Sequence, residues 1–476
     1  MAEERRITAR EADFAQWYQD VVEAADLADD APVRGCMIIK PHGYAIWEAI
    51  QRTLDSQIKA AGAKNAYFPL LIPESFLQKE KDHIEGFAPE CAVVTHGGGK
   101  ELEEKLYIRP TSETIINHTF ARWISSWRDL PLVINQWANV VRWELRPRKF
   151  LRTLEFLWQE GHTAHASATE ARAMVMRMLE VYRRTAEETL AISVVPGEKT
   201  ANERFAGADS TFTIEAMMQN GWALQCGTSH DLGQHFAKAF DIQYQTAQGG
   251  RDLVYQTSWG ASTRLIGALV MSHGDDKGIV LPPRIAPIQV VIVPIYKSDE
   301  ERAKVLEGAA GIVRALGPSV LTHTDDRDQL RPGAKYHEWE RKGIPLRLEL
   351  GPRDLASGQA MVVRRDLGTK QAIPVAALAT QIPALLDTIQ ADLLARNKAM
   401  REAKTFTVES YDAFKVAIED RPGFYRVRWC GDSKEETRIK QETKATIRVI
   451  LAQGNLGSCQ FTGRPATMEV IFARNY

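Results

Sequence analysis

The chain has 476 residues, of which 44% are hydrophobic and 25% charged, and this composition excludes a largely disordered protein. Five irregularly spaced cysteines argue against a secreted disulfide scaffold. The charged opening stretch and the lack of a long apolar run predict a cytoplasmic protein with no membrane span. The net charge of −1 combines −7 over residues 1–283 with +6 over 284–476, which either indicates a polyanionic partner or reflects ordinary scatter of surface charge.

Apolar spacing predicts alternating helices and strands in the first 283 residues. Ile46, Ile50, Leu54 and Ile58 recur every four positions, which predicts an amphipathic helix over 43–61. The apolar stretch 66–73 contains Pro69, so we expect a strand there that lies at a sheet edge or an interface. Further strands are predicted at 105–110, 130–144 and 152–165, and further helices at 111–124 and 168–191.

The pattern changes after the proline-rich stretch 281–287, which we interpret as a linker. Strands that alternate with helices then predict a small α/β domain with a mixed sheet over 284–403. Its predicted elements are a buried strand at 288–295 and helices at 299–316, 335–342 and 382–398. A smaller α+β unit is predicted over 404–476.

Two motifs that suggest other chemistry are rejected. The run GGGK (97–100) resembles a phosphate-binding loop, but Glu101 follows where serine or threonine is needed, so a surface loop is predicted. His162 and His165 could suggest a metal site, but residues three apart on a strand point to opposite faces. We therefore predict that neither histidine binds a metal ion.

The strongest chemical pattern is a basic loop between two predicted strands. On those strands Arg142 and Glu144 share one face, and Phe156, Trp158 and Glu160 share another. A guanidinium is suited to gripping phosphate, and phenylalanine offers a flat face to a purine, so a nucleotide cleft is one interpretation. The alternative is an exposed hairpin with scattered charges.

The pattern RxE–loop–RxxxFxxxE resembles motif 2 of the class II aminoacyl-tRNA synthetases. The helix 43–61 and the Pro69 strand are similar to motif 1, the dimer element of that family, and Gly260-Ala-Ser-Thr-Arg264 is similar to motif 3. The run Arg109-Pro-Thr-Ser-Glu113 resembles the signature of the Ser, Thr, Gly and Pro subclass. Read by itself, Thr111 could equally be a helix N-cap.

The longer runs RPTSE, RPRKFLRTLEFLWQEGHTAH, LQCGTSHDLGQ and TSWGASTR together resemble the prolyl-tRNA synthetases of the archaeal and eukaryotic type. About a hundred residues separate Glu160 from Ser258, which is too few for the editing insertion of the bacterial type. The resemblance implies a class II antiparallel-sheet catalytic domain (1–283), an α/β anticodon-binding domain (284–403) and a small α+β C-terminal domain (404–476).

The same resemblance implies a homodimeric enzyme that makes prolyl-adenylate from proline and ATP with Mg²⁺, and then transfers the prolyl group to tRNA(Pro). Arg142, which would grip the α-phosphate and the proline carboxylate, and Arg264, which would grip the γ-phosphate, are the implied catalytic residues. The remaining implied ATP contacts are Glu144, Thr153, Phe156 (stacked on adenine), Gln225 and Thr228. The remaining implied proline contacts are Thr111, Glu113, Trp158, Glu160, His162, Phe205, His230 and Ser258; for Trp158 and Phe205 the alternative is plain core packing.

Guanines of the anticodon would be read along their hydrogen-bonding edges by charged side chains of the second domain. Glu340, Arg347 and Arg353 are our candidates, and a solvated charged face is the alternative. Two other functions compete with the implied one. A class II paralogue would make an adenylate for an acceptor other than tRNA, and a catalytically inactive descendant would bind or regulate RNA.

The C-terminal domain departs from the family pattern at its zinc site. Where the family carries two cysteine pairs, this chain has Cys430 with Glu435 and Cys459 with Thr462. Structural zinc needs four ligands, nearly always Cys or His, so we predict a metal-free domain that is stabilised by its apolar strands. The resemblance also implies that the terminal Tyr476 docks near the active site, with its carboxylate buried.

Overall fold

The computed structural model of the protein describes residues 6–77 and 91–476. Within these ranges the chain forms an eleven-stranded sheet, a five-stranded sheet and three smaller sheets. Antiparallel pairing dominates the large sheet, and the five-stranded sheet is mixed. This architecture confirms the predicted fold class.

The first part of the chain alternates between helices and strands up to His273. Its strands are β1 (Ala28–Asp30), β2 (Met37–Ile39), β3 (Lys64–Asn65), β4 (Leu71–Pro73), β5 (Ala92–Gly97), β6 (Lys100–Ile108), β7 (Leu132–Val141), β8 (Glu155–His165), β9 (Val194–Glu198), β10 (Ser210–Met217), β11 (Ala223–Gly233), β12 (Gln243–Gln245), β13 (Arg251–Leu253) and β14 (Tyr255–Ser262). Its helices are α1 (Phe14–Ala24), α2 (Pro41–Ala60), α3 (Glu74–Leu77), α4 (Glu113–Trp123), α5 (Ala168–Arg184), α6 (His235–Phe240) and α7 (Arg264–His273), with a 3-10 turn at Trp127–Asp129 and a π turn at Thr185–Thr189.

The core sheet runs in the order β9-β10-β11-β14-β8-β7-β3, with antiparallel neighbours except for the parallel pair β3–β7. Helix α7 is buried along its length from Leu265 to His273, because the sheet covers it on one side and α1 and α2 pack against it on others. The predicted helix over 43–61 is α2. Its Ile46, Ile50, Leu54 and Ile58 are all buried in the same apolar cluster, as their spacing requires.

Two predicted strands of the first part are shorter than expected. Of the stretch 66–73, residues 71–73 form β4, and Pro69 precedes it in an irregular segment because proline has no N–H for a ladder. Strand β7 ends at Val141, so Arg142 and Glu144 lie in a loop. The prediction that these two side chains share a strand face is therefore wrong.

The two rejected motifs have the local geometry that the sequence predicts, an exposed loop and two histidines on opposite strand faces. GGGK forms the exposed turn of the β5–β6 hairpin, in which Gly98 and Gly99 have φ values of 58° and 78° that favour glycine. His162 Nε2 lies 3.0 Å from Glu160 Oε2, and His165 Nε2 lies 2.8 Å from Thr163 Oγ1. The two histidines thus belong to opposite faces of β8.

The second part forms a five-stranded sheet in the order β16-β15-β17-β18-β19, parallel at β16-β15-β17 and antiparallel beyond. The strands are β15 (Val290–Pro294), β16 (Thr322–Thr324), β17 (Leu346–Leu350), β18 (Gln359–Arg364) and β19 (Lys370–Pro374). The helices are α8 (Asp299–Leu316), α9 (Pro332–Arg341), α10 (Pro352–Ala356) and α11 (Leu378–Ala403), with a 3-10 turn at Val375–Ala377.

The stretch between the two parts is not an exposed linker. Leu281, Ile285 and Ala286 are buried, and the Leu281 N–H donates to the Gly343 carbonyl of the second part. Apolar side chains between the prolines explain this packing.

The last part contributes β20 (Thr405–Thr407), β21 (Phe424–Trp429), β22 (Ala445–Gln453) and β23 (Met468–Arg474), with helices α12 (Tyr411–Asp420) and α13 (Ser433–Thr443). Its strands extend the core sheet in the order β20-β21-β23-β22-β9, joined at Ile450 and Glu198. The domain is predicted to be stabilised by its apolar strands, and the aromatic and aliphatic side chains of these strands are indeed buried: Phe424, Tyr425, Trp429, Ile447, Val449, Val470 and Phe472. In the described parts of the chain, no helix is both long and apolar enough to cross a bilayer.

Candidate active site

A cleft lies over one face of the core sheet, where β8, β11 and β14 run side by side. Side chains from these strands, from the start of α4 and α7, and from the segment before β10 line it. The lining residues are Thr111, Glu113, Arg142, Phe156, Trp158, Glu160, His162, Lys199, Glu203, Arg204, Phe205, Thr211, Gln225, Cys226, Gly227, Thr228, His230, Ser258, Trp259, Gly260, Ala261, Ser262 and Arg264.

Strand register explains why residues distant in sequence meet there. Ser258 on β14 is paired with His162 on β8 and with His230 on β11, so the three form one row across the sheet. Gly260 is likewise paired with Glu160 and Thr228. Directly paired residues point to the same face of a sheet, and every second residue repeats that direction.

Arg142 follows β7 immediately and lines the cleft. We distinguish two halves of the cleft, one with Phe156 and Arg264 and the other with Glu160 and His162. Its Nε donates to the Pro110 carbonyl at 2.9 Å, and its guanidinium carbon is 5.6 Å from the Phe156 ring centre and 5.5 Å from that of Trp158. The two rings meet edge to face at 6.0 Å. A planar cation held against two aromatic faces is fixed in direction, which suits a group that must orient an anion.

Arg264 begins α7 at the far end of the cleft. Its Nε donates to the Leu151 carbonyl at 3.3 Å, which ties it to the loop between β7 and β8. Loss of water around the guanidinium, and then the neighbouring charges of Arg152 and Arg142, lower its pKa to about 10. Several cations gathered at one place create a strong site for a polyanion such as a polyphosphate.

Glu160 and His162 form a buried pair in the other half of the cleft. Glu160 Oε1 accepts bonds from Ser112 Oγ at 2.5 Å and Gln136 Nε2 at 2.7 Å, and Oε2 lies 3.0 Å from His162 Nε2. Burial raises the pKa of Glu160, but its hydrogen bonds, with His162 foremost, outweigh this and lower it. Burial lowers the pKa of His162, but Glu160 and the Glu113 charge outweigh this and raise it, so each member of the pair favours the charged form of the other.

His230 has the opposite electrostatic character. Its pKa falls to about 4, chiefly through burial, so the imidazole is neutral at physiological pH. Its ring lies 4.6 Å from that of Phe205, and its Nδ1 is 2.9 Å from Thr211 Oγ1. Phe205 and His230 therefore form an uncharged wall opposite the Glu160–His162 pair.

Three residues that line the cleft have a buried polar atom with no hydrogen-bond partner in the structure: Trp158 and Trp259 through their indole N–H, and Ser258 through its hydroxyl. Buried polar groups are normally hydrogen-bonded, so Trp158 and Ser258, which share the cleft face of the sheet, are suited to a polar ligand. At the start of α4, the Thr111 hydroxyl donates to the Glu113 carboxylate, and both residues are buried. A buried carboxylate in a cleft is suited to an ammonium group.

Two of the predicted ATP contacts lie outside the cleft lining. Glu144 Oε1 accepts a bond from the Arg146 N–H at 2.9 Å, and the Thr153 hydroxyl donates to the Glu155 carbonyl at 2.7 Å. Both lie in the loop after β7, where the chain turns back through Phe150 with a φ of 62°. Every other predicted ATP or proline residue lines the cleft.

The cleft also contains charged residues that the sequence patterns did not single out. Lys199, Glu203 and Arg204 line it beside Phe205. In the sequence, these residues belong to the charged run 198–204 directly before Phe205. Such a run is typical of a solvated surface loop, and only the fold shows that it lies beside the strands of the cleft.

The anticodon candidates lie on three different elements of the second part. On α9, Glu340 pairs with Lys277 of the first part, at 3.2 Å. On β17, Arg347 pairs with Glu349 at 3.0 Å and lies 4.2 Å from the Tyr336 ring, whereas Arg353 on α10 is exposed. Glu340 and Arg347 therefore already have ion-pair partners within the chain.

At the remnant zinc positions, other partners engage the side chains that replace cysteine. Glu435 pairs with Arg438 at 2.7 Å. Burial raises the pKa of Cys459, but bonds from the Thr462 hydroxyl and from backbone N–H groups outweigh this and lower it. Residues 6–77 and 91–476 contain no group of three or more His, Cys, Asp or Glu side chains suited to a metal ion.

Tyr476 is docked against the first part of the chain. Its backbone N–H donates to the Ala223 carbonyl, its hydroxyl accepts a bond from Asn220 at 2.7 Å, and its ring lies 5.8 Å from the Arg148 guanidinium. It therefore touches the loop between β7 and β8 without lining the cleft itself. Tyr476 as a whole is half-buried.

Comparisons with known proteins agree with this geometry. Residues 94–273 match the family model "tRNA synthetase class II core domain (G, H, P, S and T)", residues 289–385 match "Anticodon binding domain", and residues 411–476 match "Prolyl-tRNA synthetase, C-terminal". The sheet, the cleft and the first match define a class II aminoacyl-tRNA synthetase.

The relatives narrow this class. The chain is 55% identical to the proline–tRNA ligases of Prosthecochloris aestuarii and Chlorobium limicola, with 99% of each chain covered. The crystal structure of prolyl-tRNA synthetase from Cryptosporidium parvum, complexed with halofuginone and AMPPNP, superposes with a TM-score of 0.93 at 40% identity, covering 98% of this chain and 99% of that one. The chain belongs to the prolyl-tRNA synthetase family, the ATP-dependent proline–tRNA ligases.

Proposed function

We propose that this cleft activates proline with ATP and then transfers the prolyl group to tRNA(Pro). The observation that carries the proposal is the position of Arg142, whose guanidinium lies against the rings of Phe156 and Trp158 in a cleft that the buried carboxylates of Glu113 and Glu160 also line. Phosphoryl chemistry of this kind depends on positioning and charge stabilisation more than on a protein nucleophile. In the first step the proline carboxylate attacks the α-phosphate, and pyrophosphate leaves.

ATP occupies the half of the cleft between Phe156 and Arg264. Phe156 stacks on the adenine, Gln225 and Thr228 contact the ribose side, and Arg264 holds the γ-phosphate. Arg142 orients the α-phosphate together with the attacking carboxylate. Glu144 and Thr153, which lie in the loop that leads to Phe156, are the remaining adenine contacts of this proposal.

Proline occupies the other half. Thr111 and Glu113 bind the secondary ammonium, because a carboxylate in the wall of the cleft attracts a cation. Trp158, Phe205 and His230 surround the ring, and Ser258 and the Glu160–His162 pair complete the pocket. Tight apolar walls suit a pyrrolidine ring.

Mg²⁺ accompanies ATP in this scheme. The ion would be bound mainly by phosphate oxygens and water, as is usual for magnesium with nucleotides, and it would neutralise phosphate charge. We propose no structural zinc, because Arg438 engages Glu435 and a neutral threonine hydroxyl is a poor zinc ligand. Elemental analysis of the purified protein checks this point, and one tightly held zinc per chain would contradict it.

We assign residues 1–283 to catalysis, 284–403 to anticodon binding and 404–476 to the C-terminal domain, and we place the enzyme in the cytoplasm. Glu340, Arg347 and Arg353 read the anticodon. Homodimer formation is supported by large apolar side chains that are exposed on the segment with Pro69 and its surroundings: Tyr67, Leu71, Val93, Trp123 and Trp127. Sedimentation near twice the chain mass of 53.4 kDa is expected, and a stable active monomer would refute the dimer.

Two assays on the full chain test the proposed activity. Proline-dependent exchange of pyrophosphate into ATP measures the first step, and charging of tRNA(Pro) measures the second. We expect both activities. Exchange without charging would indicate a paralogue with another acceptor, and the absence of both would indicate a binding or regulatory protein.

A further inference from the structure

A buried charge cluster joins the C-terminal domain to the wall of the cleft. Arg448 on β22 donates from Nε to Glu215 Oε2 and from Nη2 to Glu215 Oε1, both at 3.0 Å, and Glu215 lies on β10. Lys199 Nζ lies 3.4 Å from Glu215 Oε1. The three side chains are 4%, 0% and 4% exposed for Arg448, Glu215 and Lys199, so water cannot substitute for any of these contacts.

Two further hydrogen bonds fix the side chains of Glu215 and Arg448 within the cluster. Glu215 Oε1 also accepts a bond from the Thr213 hydroxyl at 3.1 Å, and Arg448 Nη1 donates to Thr446 Oγ1 at 2.9 Å. Removal of one member of a buried ion pair leaves the other charge uncompensated. Without Arg448, the Glu215 carboxylate would keep Lys199 as its one close cationic partner among the described residues, at a longer distance than its present bonds to Arg448.

The segment 199–205 carries this coupling to the cleft. Lys199, Glu203, Arg204 and Phe205 all line the cleft, and Phe205 contacts the His230 ring. The same segment is tied to α13 of the C-terminal domain at three further points. Thr200 Oγ1 donates to Glu436 at 2.6 Å, Asn202 Nδ2 donates to the Ser433 carbonyl at 2.9 Å, and Lys440 pairs with Glu203 at 2.9 Å.

We propose that Arg448 is a positioning residue for proline binding. By holding Glu215 in a two-point ion pair, it fixes Lys199 and thereby the segment 199–205 that presents Phe205 to the proline ring. In this way a charged side chain of the C-terminal domain influences proline binding in the active site. Arg448 touches no substrate, and its role presupposes the proposed proline site.

The test uses proline-dependent pyrophosphate exchange with full-length variants. Arg448→Met removes the charge at similar volume, and we expect the KM for proline to rise by about tenfold while kcat and the KM for ATP stay within about twofold. Arg448→Lys keeps the charge but loses the two-point geometry, so its KM should lie between those of the wild type and Arg448→Met.

Arg365→Met is the matched control. Arg365 joins the second part of the chain to the core by two bonds of 2.7 Å to Asp275, and its side chain is also 4% exposed, but it does not line the cleft. We expect this variant to lose thermal stability and to keep the wild-type KM for proline. If Arg448→Met behaves in the same way, with reduced stability and an unchanged KM for proline, the positioning role is wrong.

The double variant Glu215→Met/Arg448→Met keeps the question answerable if the single variant does not fold, because it leaves no uncompensated Glu215 carboxylate. It also leaves Lys199 without that carboxylate, so stability should recover only in part and the raised KM for proline should persist. Recovery of both stability and KM would overturn the proposal. A wild-type enzyme with no proline-dependent exchange would instead contradict the proposed function, which separates the two failures.

Discussion

The cations of the catalytic cleft and those of the proposed anticodon face, which comprises Glu340, Arg347 and Arg353, are arranged in opposite ways. In the cleft, the charges that surround Arg264 include two other arginines, and its pKa is lowered to about 10. On the anticodon face, Arg347 already pairs with Glu349 and lies over Tyr336. The cleft is therefore prepared for an incoming anion, whereas the proposed base contact of Arg347 requires this side chain to exchange an internal partner for a base. Substitutions in the cleft should therefore have large effects on activity, and substitutions on the anticodon face should have small effects.

The largest effect is expected at Arg264. Arg264→Ala should lower kcat/KM for ATP by about 10²–10³-fold, because a phosphate loses its charged donor in a cleft with little water. The free energy of unfolding of this variant should be lower than that of the wild type by less than about 1 kcal/mol. The reason is that a guanidinium whose pKa is lowered by its surroundings is unfavourable to the folded state. Exchange kinetics and thermal unfolding measure the two quantities.

Arg365→Ala provides the contrast for that prediction. It breaks a complete ion pair with the partly exposed Asp275, so it should destabilise the protein by about 1–3 kcal/mol and leave exchange unchanged. If Arg264→Ala destabilised the protein as much as Arg365→Ala did, the cleft arginine would be a structural ion-pair partner.

A smaller effect is expected from the loss of the Phe156 ring. Phe156→Ala should raise the KM for ATP by about tenfold, which corresponds to roughly 1.4 kcal/mol of lost stacking, and the KM for proline should change less. Phe156→Tyr keeps the ring and should stay near the wild type. An unchanged KM for ATP in Phe156→Ala would rule out stacking on adenine.

The two cleft histidines predict a pH dependence. The pKa of His162 is raised through Glu160, so its charge is present below that pKa and is lost as pH rises through it. Loss of the imidazolium leaves the buried Glu160 carboxylate without its ionic partner, so kcat/KM for proline should fall at high pH by about threefold. His230, with a pKa of about 4, stays neutral throughout this range.

His162→Gln tests this assignment because glutamine can still hydrogen-bond to Glu160 but does not titrate. Its profile of kcat/KM for proline against pH should be flatter than that of the wild type. A profile that keeps the wild-type shape would assign the titration to another group.

The smallest effect is expected on the anticodon face. Arg347→Ala should raise the KM for tRNA in charging by about threefold, because the lost base contact is partly offset by the ion pair that no longer has to be broken. Pyrophosphate exchange should be unaffected. Arg314→Ala, on the exposed side of α8, is the control, and equal effects of the two substitutions on charging would indicate a general charge effect.

The sequence predicted the residues on the core strands better than those at strand ends or in long-range contacts. Residues on the core strands, such as Glu160, His162 and Ser258, were predictable because strand periodicity and the motifs assign them to one face. The ends of strands were less predictable, and Arg142 and Glu144 proved to lie beyond β7. Lys199, Glu215 and Arg448 were not predicted, because their pairing depends on β22 joining β9, a long-range contact that no local pattern encodes.

The most direct test of the account is pyrophosphate exchange by Arg142→Ala, with folding verified by thermal unfolding. Arg142 is the one residue assigned to both substrates, so its loss should remove the alignment of the proline carboxylate with the α-phosphate. We predict that proline-dependent exchange falls by more than about a thousandfold, which corresponds to roughly 4 kcal/mol, in a protein that remains folded. Exchange that stays within about tenfold of the wild type would contradict the central role assigned to Arg142 and to this cleft.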